Sequence, residues 1–207
     1  TTERDRSPID SLDVSVVAPV YHNRDTLTEL TERLCRVLSA VAERFEIIFV
    51  NDACPARSGE ILDALARQDE RIVVVNMAHN VGQHRAVLAG LQRARGRSVV
   101  ILDADLQDPP EAIETLLHQL TGETAAVFAG RRGAYESIPR LCTSRVFKRL
   151  LHWLSGVPVD AGMFVAMNRR MVDAVLSLRP RPPFVVAMIG CTGLPMESVP
   201  VTRSRRP

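Results

Sequence analysis

The chain has 207 residues, 46% of them hydrophobic and 24% charged, with a formal net charge of +2; this is the balance of one soluble globular domain with room for a sizeable core. Cys35, Cys54, Cys142 and Cys191 are scattered without C-x-x-C or Cys/His spacing, so neither a zinc site nor a disulfide framework is indicated, and a reducing compartment fits. No apolar leader opens the chain and no run of about 18 apolar residues interrupts it, so neither a signal peptide nor a membrane-spanning helix is expected within it.

Residues 1–13 read as a polar lead-in. Val14 to Val20 (VSVVAPV) reads as a buried strand, with Pro19 at its end because proline cannot donate to a central ladder. Leu27, Leu30, Leu34, Val37, Leu38 and Val41 form a stripe that predicts a helix over 25–43. Glu46 to Val50 (EIIFV) predicts a second strand, which delivers Asn51 and Asp52 at its C-terminal end. Ser58 is placed to cap a helix reaching Gln68, and Arg71 to Val75 predicts a third strand. Asn80-Val81-Gly82-Gln83-His84 turns into a helix that runs to Arg95 and that Gly96 stops. Residues 98–103 predict a fourth strand. Pro109 and Pro110 suit the first turn of a helix ending near Gly122, and Ala125 to Ala129 predicts a fifth strand. Five alternations of strand and helix predict an α/β fold with a mostly parallel, doubly wound sheet.

Beyond Gly130 the pattern changes. Residues 131–139 read as a loop. The stretch 141–154 is amphipathic, with Val146, Phe147, Leu150, Leu151 and Leu154 apolar and Arg145, Lys148 and Arg149 basic. It suits a helix that covers the sheet, or one that lies on a membrane with its basic residues at the headgroups. Asp160-Ala161-Gly162 leads into a short strand at 163–167, Arg170 to Leu178 predicts a helix, and 197–202 a last strand. Residues 184–189 suit helix or strand, because periodicity cannot decide so short a run. Charge divides along the same line: residues 1–130 hold 13 Lys and Arg against 20 Asp and Glu, and residues 131–207 hold 13 against 4. The second part suits phosphates or an acidic membrane surface, or is a solvated basic face. Nucleic acid is not expected, since no aromatic-interleaved basic motif accompanies the charge.

The stretch richest in chemistry is VVILDADLQDPPE, residues 99–111. It begins as a strand buried on both faces and ends in carboxylates, where open α/β sheets bind ligands. If the strand persists, Asp103, Asp105 and Gln107 alternate onto one face. Such oxygen donors suit Mg²⁺ or Mn²⁺ held jointly with substrate phosphates; solvated loop acids are the competing reading. Asp52 stands beside Pro19-Val20-Tyr21, so that the ring can stack on a nucleobase while the carboxylate accepts its N–H groups. An Asx turn is the alternative there. Asn80, Gly82, Gln83 and His84 open a helix whose N–H groups can face a phosphate. His84 and Arg85 then contact that ligand, or serve as cap and surface. G-x-S-x-G and a Ser/His/Asp system are absent from the sequence.

Taken in order, VSVVAPVY, IIFVNDACP, NVGQH, LDADLQDPPE, AGRR, DAGMFVAMNRR and VPVTRSRR resemble the family-2, GT-A-type glycosyltransferases over residues 14–206. The resemblance is closest to the polyprenol-phosphate sugar transferases, such as the dolichol-phosphate mannose synthases and the undecaprenyl-phosphate sugar transferases. It implies one GT-A (nucleotide-diphospho-sugar transferase) domain, with 14–130 binding nucleotide sugar and metal and 131–207 facing the acceptor. Asp103, Asp105 and Gln107 would bind Mg²⁺ or Mn²⁺, and Asp103, Asp105 and Asp160 would stand at the catalytic centre. Pro19, Tyr21, Asn23, Asp52, Asn80, Gln83 and His84 would hold the donor, with Arg206 closing on its phosphates. Arg131, Arg140 and Ser144 would hold the acceptor phosphate, and Asp160 and Gly162 would lie near the sugar.

The reaction implied is inverting transfer from a UDP- or GDP-sugar to polyprenyl phosphate, at the cytoplasmic face of a membrane. A hydroxyl acceptor is the alternative, with Asp160 or Asp108 as base. A non-catalytic nucleotide-sugar-binding remnant is a third reading, against which the intact Asp103, Asp105 and Gln107 set speaks. The chain departs from the family pattern at Asn51, where aspartate is common, and at Asn23, where glutamate is common. It also stops at Pro207, inside a segment that membrane helices often follow, so a C-terminal membrane segment is expected to be absent or cut off.

Overall fold

The structure is a computed structural model that describes residues 12–132 and 156–203, with the backbone alone for Arg131 and Arg132. The lead-in, the loop from 133 onward, the amphipathic stretch at 141–154, and Arg140, Ser144 and Arg206 lie outside the described residues, as does the side chain of Arg131. Among the described residues the apolar runs make seven strands: β1 (Val14–Val20), β2 (Phe45–Asn51), β3 (Ile72–Asn76), β4 (Ser98–Ile101), β5 (Ala126–Arg132), β6 (Val165–Asn168) and β7 (Met196–Thr202). They form one sheet in the order β3-β2-β1-β4-β6-β5-β7. β1 pairs in parallel with β2 and β4, β2 with β3, and β5 with β7. β6 alone runs antiparallel, against both β4 and β5. The mostly parallel sheet expected from the alternation of strand and helix is therefore present.

All seven residues of β1 are buried, as a strand covered on both faces requires. The period of two assigns its side chains to opposite layers. Val16, Ala18 and Val20 join Ile47 and Phe49 of β2 in a core closed by α1 (Leu27–Val41), α2 (Ser58–Gln68) and α4 (Ala112–Gln119). Val17 joins Ile48 and Val50 in the opposite core, closed by α3 (Gln83–Arg93), α5 (Arg169–Ser177) and α6 (Val185–Cys191). The α1 stripe is as read from sequence: Leu27, Leu30, Leu34 and Leu38 are buried.

Three local expectations need correction, and one left open is decided. β4 ends at Ile101 rather than 103; a last ladder bond from Leu102 N–H to the Val17 carbonyl follows, and the chain then turns. The run at 184–189, open between helix and strand in the sequence, is helix from Val185 onward, within α6, with Phe184 extended just before it. Ser58 is the first residue of α2 and not its cap; Arg57 precedes it with φ +58°, and the Ser58 hydroxyl pairs with the Cys54 thiol at 3.2 Å. Gly96 lies beyond the end of α3 for a packing reason, since a Cβ there would stand 2.5 Å from the Ser15 backbone nitrogen. Its N–H donates to the Ser15 hydroxyl, which donates in turn to the buried Glu46 carboxylate.

α3 lies unusually close to the sheet at Gly90, where a Cβ would meet Val17 Cγ1 at 2.3 Å and Val50 Cγ2 at 3.0 Å. Alanine is the better helix former by about 1 kcal/mol. Overpacking against two branched side chains costs about 1–3 kcal/mol, so the steric term wins. Gly90→Ala should therefore lower the unfolding free energy in urea by about 1 kcal/mol, net of those two effects. A variant more stable than the parent would show that helix and sheet are not in this contact.

Candidate functional site

After β1 the chain winds outward through β2 and β3, then returns across β1 to place β4 on its other side. The strand order thus reverses between β1 and β4, and the crevice beyond the carboxyl ends of those strands is where doubly wound sheets bind ligands. A cleft of about 390 Å³ opens there. Pro19, Tyr21 and Asn23 line it from the end of β1, Asp52 from the end of β2, and Asn80, Gly82 and Gln83 from the turn into α3. Asp103 and Asp105 line it from beyond β4. Six donor-site candidates, Pro19, Tyr21, Asn23, Asp52, Asn80 and Gln83, and two of the three metal-site candidates are brought together.

Each wall has a local cause. Tyr21 is 45% exposed, free to offer a ring face to a ligand, and His22 (φ +59°) sets its ring edge-on to it at 4.4 Å between centroids. The Tyr21 N–H donates to Asn23 Oδ1 at 3.1 Å, closing a tight turn. Asp52 is buried, and its two oxygens accept the N–H groups of Val81 and Gly82 at 2.7 and 2.9 Å. Gly82 adopts φ +85° and ψ 155°, a backbone region essentially restricted to glycine. Gln83 then opens α3, and its amide donates to Asp103 Oδ1 at 2.6 Å. A line of hydrogen bonds thus runs from the end of β2, through the NVG turn, to the end of β4.

The acidic loop does not continue the strand, yet its burial still alternates. Leu102, Ala104, Leu106 and Asp108 are buried while Asp103, Asp105 and Gln107 are partly exposed. Leu106 takes φ +58°, and Asp105 Oδ1 accepts the Gln107 N–H at 3.1 Å. The Thr26 hydroxyl donates to the Ala104 carbonyl at 2.6 Å, pinning the loop to the turn after β1. Gln107 does not line the cleft. Among the described residues no three His, Cys, Asp or Glu side chains form a ready cation cage. Two carboxylates at an open cleft nevertheless fit Mg²⁺ or Mn²⁺, hard cations that usually take one or two protein carboxylates and complete their shell with water and substrate phosphate.

Three candidates stand elsewhere. His84 is half-buried behind the cleft, edge-on to Phe184 at 5.0 Å, with Nδ1 accepting from the Val185 N–H at 3.5 Å. Burial pushes its pKa down and so favours the neutral ring. Asp108, considered from sequence as a base, has both oxygens taken by the Arg203 guanidinium at 2.6 and 3.0 Å and does not line the cleft. Asp160 packs over β5: a Cβ on Gly130 would stand 2.1 Å from its Oδ2 and 2.4 Å from the Ser198 hydroxyl. That contact accounts for the glycine of the AGRR segment. Sequence reasoning missed Thr26 and Arg203. Neither carries a local signal, because their partners lie 78 and 95 positions away.

The Glycosyl transferase family 2 profile matches residues 15–176. The chain is 33% identical over 195 residues to the uncharacterized glycosyltransferase YkcC of Bacillus subtilis, covering 93% of this chain and 60% of that protein. It is 38% identical over 181 residues to the undecaprenyl-phosphate 4-deoxy-4-formamido-L-arabinose transferase of Pseudomonas paraeruginosa, covering 86% of this chain and 53% of that protein. The chain therefore spans between half and two thirds of the length of these relatives. The fold is similar to that of the mannosyltransferase PcManGT of Pyrobaculum calidifontis, solved with GDP-Man and Mn²⁺: the TM-score is 0.69 at 19% identity, over 93% of this chain and 56% of that one. The architecture is the GT-A fold, and with a profile matched over most of its length the chain belongs to glycosyl transferase family 2.

Proposed function

We propose that this domain catalyses divalent-cation-dependent, inverting transfer of a sugar from a nucleoside-diphosphate sugar to a polyprenyl phosphate. The observation that carries the reading is the cleft at the strand reversal, with an exposed ring and a buried carboxylate at the ends of β1 and β2 and two carboxylates beyond β4. Tyr21 offers the stacking face for the base. Asp52 keeps one lone pair on each oxygen beyond its bonds to Val81 and Gly82, and so can still accept from a base N–H. Asp103 and Asp105 would hold the cation, with Gln107 completing the set after a shift of its side chain. The bound cation neutralises the charge that grows on the leaving diphosphate. Gln83 fixes the orientation of Asp103, and a fixed orientation avoids reorganisation during the reaction.

A phosphate monoester is largely dianionic near neutral pH, with a second pKa of about 6. It attacks the anomeric carbon without a strong general base. That agrees with a cleft in which His84 is turned away and Asp108 is occupied by Arg203. Arg131, Arg140 and Ser144 are assigned to the acceptor phosphate, Arg206 to the donor phosphates, and Asp160 to the sugar side. The named Pseudomonas relative acts on undecaprenyl phosphate, which supports the lipid acceptor. No described helix is long and apolar enough to cross a membrane; the excess of Lys and Arg over 131–207 supports docking at the anionic inner face.

The reading is tested by incubating the protein with a labelled UDP- or GDP-sugar, undecaprenyl phosphate and Mn²⁺. Label should pass into the organic phase with Mn²⁺ and not with EDTA. Label that moves only onto a water-soluble product would replace the lipid acceptor with a hydroxyl one, for which Asp160 is the remaining candidate base. Asp105→Ala should reduce transfer by at least about 10²-fold, the scale of losing a principal electrostatic contact to the reacting group; parental activity would remove Asp105 from the cation site. Tyr21→Ala should weaken nucleoside diphosphate binding by about 1–3 kcal/mol, the usual size of a base–aromatic stack, as read by calorimetry. Unchanged affinity would place the base elsewhere.

A further inference from the structure

The loop between β4 and α4 carries three carboxylates at Asp103, Asp105 and Asp108, and the third is used differently from the other two. Asp108 is 2% exposed and pairs with both prongs of the Arg203 guanidinium, Nε donating to Oδ1 at 2.6 Å and the terminal nitrogen to Oδ2 at 3.0 Å. Such a fork fixes direction as well as charge. Arg203 directly follows β7, so the contact ties the far edge strand of the sheet to the loop. Upstream of Asp105 the loop is held by Gln83 on Asp103 and by Thr26 on the Ala104 carbonyl. Downstream, Asp108 with Arg203 is the buried anchor. The other long-range pair on this side, Arg33 with Glu111, is more exposed, the glutamate side chain at 53%. Asp105 therefore sits between a fixed start and an end whose position depends on Arg203.

We propose that Arg203 is a positioning residue for the cation site: by clasping Asp108 it holds the acidic loop so that Asp103 and Asp105 face the cleft together. The proposal rests on the donor-site reading above. It also carries an asymmetry of its own. Removing Arg203 leaves a buried carboxylate without a partner, and the loop must open to hydrate it. Removing the charge of Asp108 leaves a guanidinium that is 21% exposed and can turn to water. Loss of the arginine should therefore disturb the loop more than loss of the aspartate charge. Lysine at 203 keeps the charge but not the fork, and should fall between parent and full loss.

The test compares the parent with Arg203→Met, Arg203→Lys and Asp108→Asn by two readouts. The first is backbone amide exchange in metal-free protein. Arg203→Met should speed exchange across 102–108 by roughly tenfold and leave the amides of β1 and β2 at parental rates, as a local opening does. The second is the affinity for UDP or GDP with Mn²⁺, which Arg203→Met should weaken roughly tenfold, the scale seen when a partner that orients a metal ligand is lost. Asp108→Asn and Arg203→Lys should show smaller changes in both. Parental loop exchange in a folded Arg203→Met protein would overturn the proposal, as would faster exchange spread evenly over the sheet. A parent that binds neither nucleotide with Mn²⁺ would defeat the donor-site reading; the exchange data then decide by themselves whether Arg203 holds the loop. If Arg203→Met does not fold, the other two variants carry both readouts.

Discussion

Asp52 grips the backbone N–H groups of Val81 and Gly82 with its two oxygens, and the next side chain, Gln83, grips Asp103. The rest of the cleft depends on this short line. A buried carboxylate without partners would carry a heavy desolvation cost, and two backbone donors at under 3 Å offset it. Those donors are available only because Gly82 takes a backbone conformation that a side chain would oppose. The β2 end, the start of α3 and the β4 end are thereby held in register by three consecutive residues, Val81, Gly82 and Gln83, with Asp52 at one end of the line and Asp103 at the other. The site is built on strand ends and a helix start, elements whose own positions the two cores determine.

The acidic loop is the one irregular part of this arrangement, and it is restrained from three directions. Thr26 holds it from the end of β1, Gln83 from α3 and Arg203 from β7. These restraints take the place of the ladder that ends at Ile101. They leave Asp103 and Asp105 partly exposed at the cleft while Asp108 stays buried and neutralised by its partner. Three acids in six residues thus divide into two that face a ligand and one that anchors.

The central strands β1, β2 and β4 were legible in the sequence because they are buried on both faces and read as unbroken apolar runs. VSVVAPV, EIIFV and SVVI need no partner information to be recognised. The α1 stripe was legible for the same reason, at a period of 3.6. The end of β4 was not, since Asp103 and Asp105 continue the alternation of burial without continuing the ladder. Gly96 looked like a helix stop; its role, a close approach to the Ser15 backbone, depends on a contact 81 positions away. At the site, residues on adjacent strand ends could be paired by reasoning about topology, which brought Tyr21 and Asp52 together, while the family resemblance added Asp103 to them. His84 could not be placed, because what turns it away is Phe184, a hundred residues on in a segment of ambiguous period. Arg203 was hidden among the arginines of VTRSRR, since only its buried partner distinguishes it.

The central claim is that a divalent cation and a nucleoside diphosphate share the cleft between the ends of β1 and β4. The most direct measurement is anomalous scattering from Mn²⁺ in crystals grown with UDP or GDP. The account expects one strong peak at about 2.1 Å from carboxylate oxygens of Asp103 or Asp105, as hard-cation coordination requires, with the base against Tyr21. A nucleotide bound with its cation away from both carboxylates, or a base outside the pocket of Tyr21 and Asp52, would contradict it.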